Sequence, residues 1–346
     1  MRREAIAKTI LAAALALSAA ALAASLLARP SAAAHRKYTI GFVSAVSGTG
    51  DPRIQALARG GRLAAKKLGV RFILAGPRYS GPGDAVALAF QSLIARHVDA
   101  IATDGFIPDL APILAKVRAA GIKLIASGDD IDARRALWIS QTDPVAYAQA
   151  LADSLASQMK GRGEYAIAQQ PQQFPVANES RRLIEAYVAK VYPNMHLDGV
   201  LDGSDFTGMP LFASVRKYIT AHPHLKGLIA LVPRCTYSVA EAIIHTHKVG
   251  KVFSADNGGG SFGDPLPDYV RKGAAQIVFP GDFLKLGFLT VWGTNYLLAG
   301  HHFKPGAYQI GGRIGLVWYY AKHQELRFGQ PLTITKANVG LYANKF

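Results

Sequence analysis

The chain has 346 residues, 39 Lys and Arg against 23 Asp and Glu, and a formal net charge of +16. This length is too great for one compact core and suits two lobes of ordinary domain size. Cys235 is the only cysteine, which excludes an intrachain disulfide, so packing must stabilise the fold.

Residues 1–34 have the features of a secretory signal peptide. Arg2, Arg3 and Lys8 precede an Ala/Leu-rich segment over about 10–28, and three alanines stand before His35. A basic start, an apolar centre and a small-residue end are typical of a cleaved export signal. The apolar segment is also long enough for an uncleaved membrane anchor, which is the alternative.

The basic residues are scattered singly rather than clustered. The sequence contains no run of five or six Lys and Arg and no alternation of basic with aromatic residues. This pattern favours a solvated basic surface over a nucleic-acid site, and no nucleic-acid partner is expected. A specific polyanion partner and adaptation to an acidic medium are the alternatives for the excess charge.

The chain after the signal begins with alternating strands and helices. Short runs rich in Val and Ile predict strands at 38–45, 70–76, 98–105 and 121–128. Amphipathic stretches predict helices at 52–68, 84–96 and 109–120. Strands separated by helices are typical of βαβ units and a parallel sheet.

The same pattern restarts after the LWISQTDP segment at 137–144. It predicts helices at 145–160, 177–191 and 207–221, and strands at 164–169, 196–201, 227–233, 251–256 and 274–280. No Pro/Ser-rich linker separates the two halves, which favours short hinges over a flexible tether.

The predicted fold class is therefore α/β, with two doubly wound parallel-sheet lobes joined by a multi-strand hinge. We assign 35–141 plus 283–312 to the N-terminal lobe and 142–282 plus 313–346 to the C-terminal lobe. Such folds bind ligands outside the carboxyl ends of their strands, so both lobes should contribute to one cleft.

Several segments resemble the type I periplasmic binding proteins of the ribose-binding class. They are YTIGFVSA, VDAIATDG, AGIKLIASGDD, SQTDP, KVFSADN and ITKANVGLYANKF, and they span nearly the whole mature chain. The SGDD, PGDFLKLG and NVGLYANKF segments are most similar to the autoinducer-2 and rhamnose-binding branch. The resemblance implies hinge closure around a small ligand.

The resemblance also implies a function. We expect a periplasmic, monomeric substrate-binding protein that delivers a pentose, deoxyhexose or autoinducer-2-like polyol to an ABC permease in the inner membrane. It would be no enzyme and would use no cofactor or metal. The alternative is a receptor that feeds a chemoreceptor or histidine kinase. A sugar-responsive repressor would need an N-terminal helix-turn-helix, where this chain has a signal peptide.

The family's contact positions map onto strand ends and helix starts. In the first lobe they imply Ser44 and Ser47, with Ala45 where the branch often has a basic residue. A carboxylate is expected after GIKLIAS, where Gly128 is followed by Asp129 and Asp130. In the second lobe they imply Asn178, Glu179, Arg181, Arg182, Pro233, Arg234, Cys235, Asp256 and Asp282.

These side chains suit a hydroxyl-rich ligand. Carboxylates accept hydroxyl protons, and Asn and Arg donate. An aromatic ring can cover the apolar face of a sugar, and Phe279, Phe283 and Trp292 are candidates. The alternative for each aromatic residue is core packing. The alternative for Asp282 and the other carboxylates is helix N-capping, and for Cys235 it is simple burial.

Two further motifs carry little functional signal. Gly259-Gly260-Ser261-Phe262-Gly263 has the spacing of an esterase nucleophile elbow, but it does not directly follow a strand. The His222/His224, His245/His247 and His301/His302 pairs are spaced by one or two residues, which does not align two imidazoles on a helix face. We interpret the histidines as surface residues.

Overall fold

The computed structural model describes residues 37–45, 48–79, 83–105, 110–131, 134–169, 175–202, 209–258, 265–311, 314–329 and 332–342. The predicted signal peptide lies outside them. The chain from Tyr38 to Phe346 forms one compact unit. In its described part, no helix combines the length and apolar character that crossing a bilayer requires.

The first half begins with alternating strands and helices. They are β1 (Thr39–Val43), α1 (Pro52–Leu68), β2 (Arg71–Ala75), α2 (Gly83–Ala95), β3 (Ala100–Thr103), α3 (Ala111–Ala119), β4 (Lys123–Ser127) and β5 (Leu137–Ser140). Helix α1 begins at the N-cap Asp51, whose side chain accepts from the Arg53 amide, and ends at Gly69 in the left-handed region.

The second half repeats the alternation. It contains α4 (Pro144–Met159), β6 (Gly163–Gln169), α5 (Pro175–Val191), β7 (Met195–Asp202), α6 (Met209–Ala221), β8 (Leu225–Ala230), α7 (Pro233–His245), β9 (Phe253–Asp256), α8 (Leu266–Lys272) and β10 (Ile277–Val278). After it come α9 (Phe283–Leu298), β11 (Gly306–Gln309), β12 (Leu316–Tyr320), β13 (Glu325–Arg327), β14 (Ile334–Thr335) and α10 (Val339–Tyr342).

These strands form two sheets, which confirms the predicted fold class. The first has the order β11-β12-β13-β5-β4-β3-β1-β2, and the second β14-β10-β9-β8-β6-β7. Most neighbours are parallel, whereas β12 and β14 run against the strands they pair with. The carboxyl ends of the parallel strands therefore lie along one edge of each sheet.

The segment 313–346, which the sequence analysis assigned to the C-terminal lobe, pairs with both sheets. Strand β13 pairs in parallel with β5, and β12 pairs with β13, so both belong to the first sheet. The reason is burial: Val317, Leu326 and Phe328 pack into the same core cluster as Phe42 and Ile139. The chain reaches the second sheet only at β14, which pairs with β10.

Helix α1 of the first half and helix α9, which follows the second half, approach each other through glycines. A Cβ at Gly60 would lie 1.9 Å from the Leu284 carbonyl oxygen, and one at Gly287 would lie 1.9 Å from that of Leu57. No side chain other than hydrogen fits at these distances. The two glycines therefore set the spacing of the helix pair beneath the first sheet.

Candidate functional site

The carboxyl ends of β1 and β3 carry a polar cluster. Asp104, one residue beyond β3, accepts a 2.6 Å hydrogen bond from the Ala45 amide and a 3.2 Å bond from Ser44 Oγ. Ser44 is fully buried, and this hydrogen bond gives its hydroxyl a partner. Ser47, the other predicted contact in this loop, lies outside the described residues.

An arginine at the start of α1 joins this cluster. Arg53 donates from Nε to Asp51 Oδ1 at 3.0 Å, and its Nη2 lies 2.6 Å from Asp51 Oδ2. Its guanidinium also lies 5.9 Å from the ring centroid of Phe283. Burial lowers the pKa of Arg53, but Asp51 and the charges of Tyr237 and Asp104 raise it more, so the guanidinium stays charged.

Asp129 completes the cluster of the first half. Protein atoms crowd its carboxyl, although the residue as a whole is exposed. This crowding, with the negative charges of Asp104 and Asp130, raises its pKa to about 6 against the opposing effect of Arg53. Asp130 instead pairs with Arg135, whose Nη2 lies 2.7 Å from its Oδ2, and is held at the surface. Of the two predicted carboxylates, Asp129 therefore interacts with this cluster, whereas Asp130 pairs with Arg135.

In the second half, Asp256 ends β9 and is fully buried. Its Oδ2 accepts from Ser254 Oγ, while Oδ1 has no hydrogen-bond partner among the described residues. Burial raises its pKa to about 8, against the lowering effect of the Ser254 hydrogen bond. A buried carboxyl oxygen without a hydrogen-bond partner is costly, so a ligand hydroxyl, which can donate to it or accept from it, would be bound strongly.

Tyr147 on α4 lies beside this carboxylate. Burial raises the pKa of its hydroxyl, and the negative charge of Asp256 raises it further. The hydroxyl donates a 3.3 Å hydrogen bond to the Phe279 carbonyl, and the two rings meet edge to face at 6.1 Å. Phe279 is 4% exposed and packs in the core of the second half, which is the alternative interpretation of this residue.

Gln169 at the end of β6 provides a further polar group. Its Nε2 donates a 2.7 Å hydrogen bond to Asp202 Oδ1 at the end of β7. Its Oε1 is buried and has no hydrogen-bond partner in the described part of the chain. Together, Gln169 and Asp256 leave two buried acceptor oxygens at the carboxyl edge of the second sheet.

Residues at and near the start of α7 form hydrogen bonds beside the carboxyl edge of the second sheet. Asn257 donates from Nδ2 to the Leu231 carbonyl, and Thr236 Oγ1 donates to the Asn257 carbonyl at 2.7 Å. Pro233 occupies the first turn of α7, and Cys235 is buried at 2% exposure. Burial raises the pKa of the Cys235 thiol to about 12, helped by the charges of Asp256 and Asp202 and opposed by a backbone hydrogen bond at Val232. The thiol is therefore protonated and unreactive at neutral pH.

The predicted residues on α5 lie on different faces of the helix. Arg181 Nη1 lies 3.1 Å from Glu185, while its buried Nε lacks a hydrogen-bond partner among the described residues. Asn178 is half-buried. Glu179 is exposed and pairs with Arg182 at 2.7 Å. Only Asn178 and Arg181 therefore have the burial expected of ligand contacts.

Asp282 and Trp292 have the structural roles that were the alternatives to ligand contact: helix capping for Asp282 and core packing for Trp292. Asp282 is the N-cap of α9, and its Oδ1 accepts a 2.9 Å hydrogen bond from the Lys285 amide. Trp292 stacks on Tyr296 at 5.5 Å within the core cluster of the first half.

Sequence reasoning missed four residues of this site: Arg53, Asp104, Tyr147 and Gln169. The sequence could have indicated two of them, because Asp104 and Gln169 stand at the ends of predicted strands, as Asp256 does. Arg53 and Tyr147 lie on helices, where the sequence alone does not show which face meets the site.

Arg53 also interacts electrostatically with Tyr237 on α7, so a polar side chain of the second half lies near the cluster of the first. Within the described ranges, no three His, Cys, Asp or Glu side chains converge as a metal site. The arrangement suits the binding of a neutral ligand with several hydroxyls.

Residues 40–300 match the family model described as the periplasmic binding protein domain, and the chain belongs to that family. No curated protein sequence matches the chain.

Solved structures share its fold at low sequence identity. One is an ABC transporter solute binding protein from Clostridium phytofermentas with bound L-rhamnose, with a TM-score of 0.73, 19% identity, and 89% of this chain and 98% of that chain covered. Another, from Agrobacterium vitis and bound with α-D-tagatopyranose, has a TM-score of 0.73, 17% identity, and coverage of 89% and 99%. A carbohydrate transporter solute binding protein from Agrobacterium radiobacter with D-arabinose has a TM-score of 0.71, 19% identity, and coverage of 90% and 100%.

Proposed function

We propose that this chain is the substrate-binding protein of an ABC importer and closes around a small sugar or sugar-like polyol. It would work in the periplasm as a monomer, catalyse no reaction, and deliver its ligand to a permease in the inner membrane. The family and the sugar-bound relatives of the same fold support this assignment.

The observation that carries the proposal is the pair of buried acceptors at the second sheet. Asp256 Oδ1 and Gln169 Oε1 have no hydrogen-bond partner in the described chain. A sugar hydroxyl donates and accepts at once, so it can satisfy both a carboxylate and an amide. Binding would remove the free-energy penalty of about 1–3 kcal/mol that each unpartnered group carries.

The cluster of the first half would act on the other side of the same ligand. Arg53 can donate to ring or hydroxyl oxygens, while Asp104 and Asp129 can accept. Phe283, beneath the guanidinium of Arg53, offers a ring for the apolar face of a sugar. Closure would bring the two groups together and exclude water.

A melting-temperature screen tests the proposal. L-Rhamnose, D-arabinose, D-tagatose and related pentoses and deoxyhexoses would be titrated separately. A ligand that binds only the folded state raises the melting temperature with a one-site concentration dependence. At least one of these sugars should do so, and no shift with any polyol would contradict the proposal.

Two variants then locate the binding. Asp256→Asn should weaken the affinity for the active sugar about five- to a hundredfold, because it replaces the buried carboxyl group with an amide whose donor and acceptor positions are fixed. Asp268→Asn is the matched control, since Asp268 pairs with Arg271 on the exposed face of α8. Equal losses in both variants would show that the sugar binds elsewhere.

A further inference from the structure

A second, basic cavity lies at the opposite edge of the second sheet. Its volume is about 450 Å³, and its lining includes Glu164, His222, His224, Lys226, Lys248 and Lys251. These residues stand at the starts of β6 and β8 and in the turns after α6 and α7. Strand β8 runs from this edge to the carboxyl edge over six residues, about 17–20 Å. The cavity is therefore separate from the proposed sugar site.

The lining combines three lysines and two histidines with one carboxylate. Lysine ammonium groups are compact point charges that attract anions, and a concave surface concentrates their field. A neutral sugar would gain little from such a lining. The charge thus favours an anion with more than one negative charge.

The side-chain stem of Lys226 lies close to the backbone of Gly163. Gly163 adopts a φ of +113°, and a Cβ at that position would lie 2.7 Å from Lys226 Cδ. Only glycine fits both this backbone conformation and this close approach. The Lys226 stem therefore lies against the start of β6, and the residue lines the cavity.

His222 is also fixed in orientation. Its Nδ1 lies 2.6 Å from Asp198 Oδ2, and its ring stacks on Tyr218 at 3.9 Å. The Tyr218 hydroxyl donates to the same Asp198 oxygen at 2.7 Å. With Nδ1 donating to this carboxylate, the ring can donate to a ligand from Nε2 only in its doubly protonated form.

We infer that this cavity binds a multivalent oxyanion of the phosphate class through Lys226, Lys248, Lys251 and His222. Ammonium and imidazolium donors match the several acceptor oxygens of such a group. The same group occurs in soluble phosphate compounds and in phospholipid headgroups.

Calorimetric titration of the full chain with inorganic phosphate, at constant ionic strength, tests the soluble form. We expect saturable one-site binding that Lys226→Gln/Lys251→Gln weakens at least tenfold and His222→Gln about threefold. The control Lys66→Gln/Lys67→Gln removes the same charge from the exposed end of α1 and should change the affinity less than twofold.

Sedimentation with phosphatidylglycerol vesicles, against phosphatidylcholine vesicles, tests the headgroup form. Saturable phosphate binding that follows the cavity variants identifies a soluble oxyanion. Vesicle binding alone that follows the same variants identifies a headgroup. Equal effects of cavity and control variants on both probes, or no binding of either, would overturn the inference. The sugar-induced rise in melting temperature should persist in every cavity variant.

Discussion

The Ser254 hydroxyl donates a 2.5 Å hydrogen bond to Oδ2 of Asp256, and both side chains are fully buried at the end of β9. The bond satisfies one carboxylate oxygen and leaves the other to a ligand. It also partly opposes the effect of burial, which still raises the pKa of Asp256 to about 8.

This raised pKa makes the stability of the ligand-free protein depend on pH. An unfolded aspartate loses its proton near pH 4, about four units below folded Asp256. Between these values the folded state binds more protons, so the free energy of unfolding falls as pH rises from about 4 to about 8. Asp129, with a pKa of about 6, contributes with the same sign over the lower part of this range.

Asp256→Asn should flatten that dependence most clearly between about pH 7 and pH 8, where Asp129 contributes little. Urea denaturation at several pH values measures it. The exposed Asp268→Asn control should keep the slope of the parent protein. An unchanged slope in Asp256→Asn would show that Asp256 titrates normally.

Arg53 should control the titration of Asp129. Its positive charge lowers the pKa of Asp129, so Arg53→Met should raise that pKa above about 6. Carbon-detected NMR of the aspartate carboxyls would measure the shift. The same variant should weaken sugar binding about five- to a hundredfold, since it removes a charged donor. A pKa of Asp129 that stays at its parent value would place Arg53 outside the site.

Arg327 joins the segments that cross between the halves. Its Nη2 lies 2.8 Å from Glu325 and its Nη1 lies 2.7 Å from Asp143, the N-cap of α4. Glu325 is fully buried and also accepts from Ser140 Oγ at the end of β5. Removing the arginine would leave a buried carboxylate without its cation.

Arg327→Met should therefore lower the free energy of unfolding by about 3–5 kcal/mol, as when one partner of a buried pair is removed. Chemical denaturation measures the loss. Arg271→Met breaks a solvent-exposed pair and should cost less than about 1 kcal/mol. If the two variants lost equal stability, Arg327 would be an ordinary surface cation.

Gly287→Ala should destabilise the packing of α9 against α1. Its new Cβ would meet the Leu57 carbonyl oxygen at 1.9 Å, and backbone cannot yield as a flexible side chain can. We expect a loss of about 1–3 kcal/mol, typical of overpacking. Gly340→Ala in α10, where a Cβ meets nothing within 4 Å, is the control. Thermal and urea denaturation should show no loss for the control.

The alternation of apolar runs with amphipathic stretches determined the strands, the helices and the two-sheet architecture, because these periodicities are local. The resemblance to a known family selected Asp256, Asn178 and Arg181 as candidates. Asp104 and Gln169, like Asp256, stand at the ends of predicted strands.

Only the tertiary structure decided the rest. Strands β12 and β13 joined the first sheet because their apolar side chains found its core, a contact between residues far apart in sequence. Arg53 and Tyr147 joined the site because helix packing turned their faces toward it. Asp282 became the N-cap of α9, and Asp130 formed an ion pair with Arg135. Partner choice and burial depend on which distant groups meet, and a linear pattern does not contain that information.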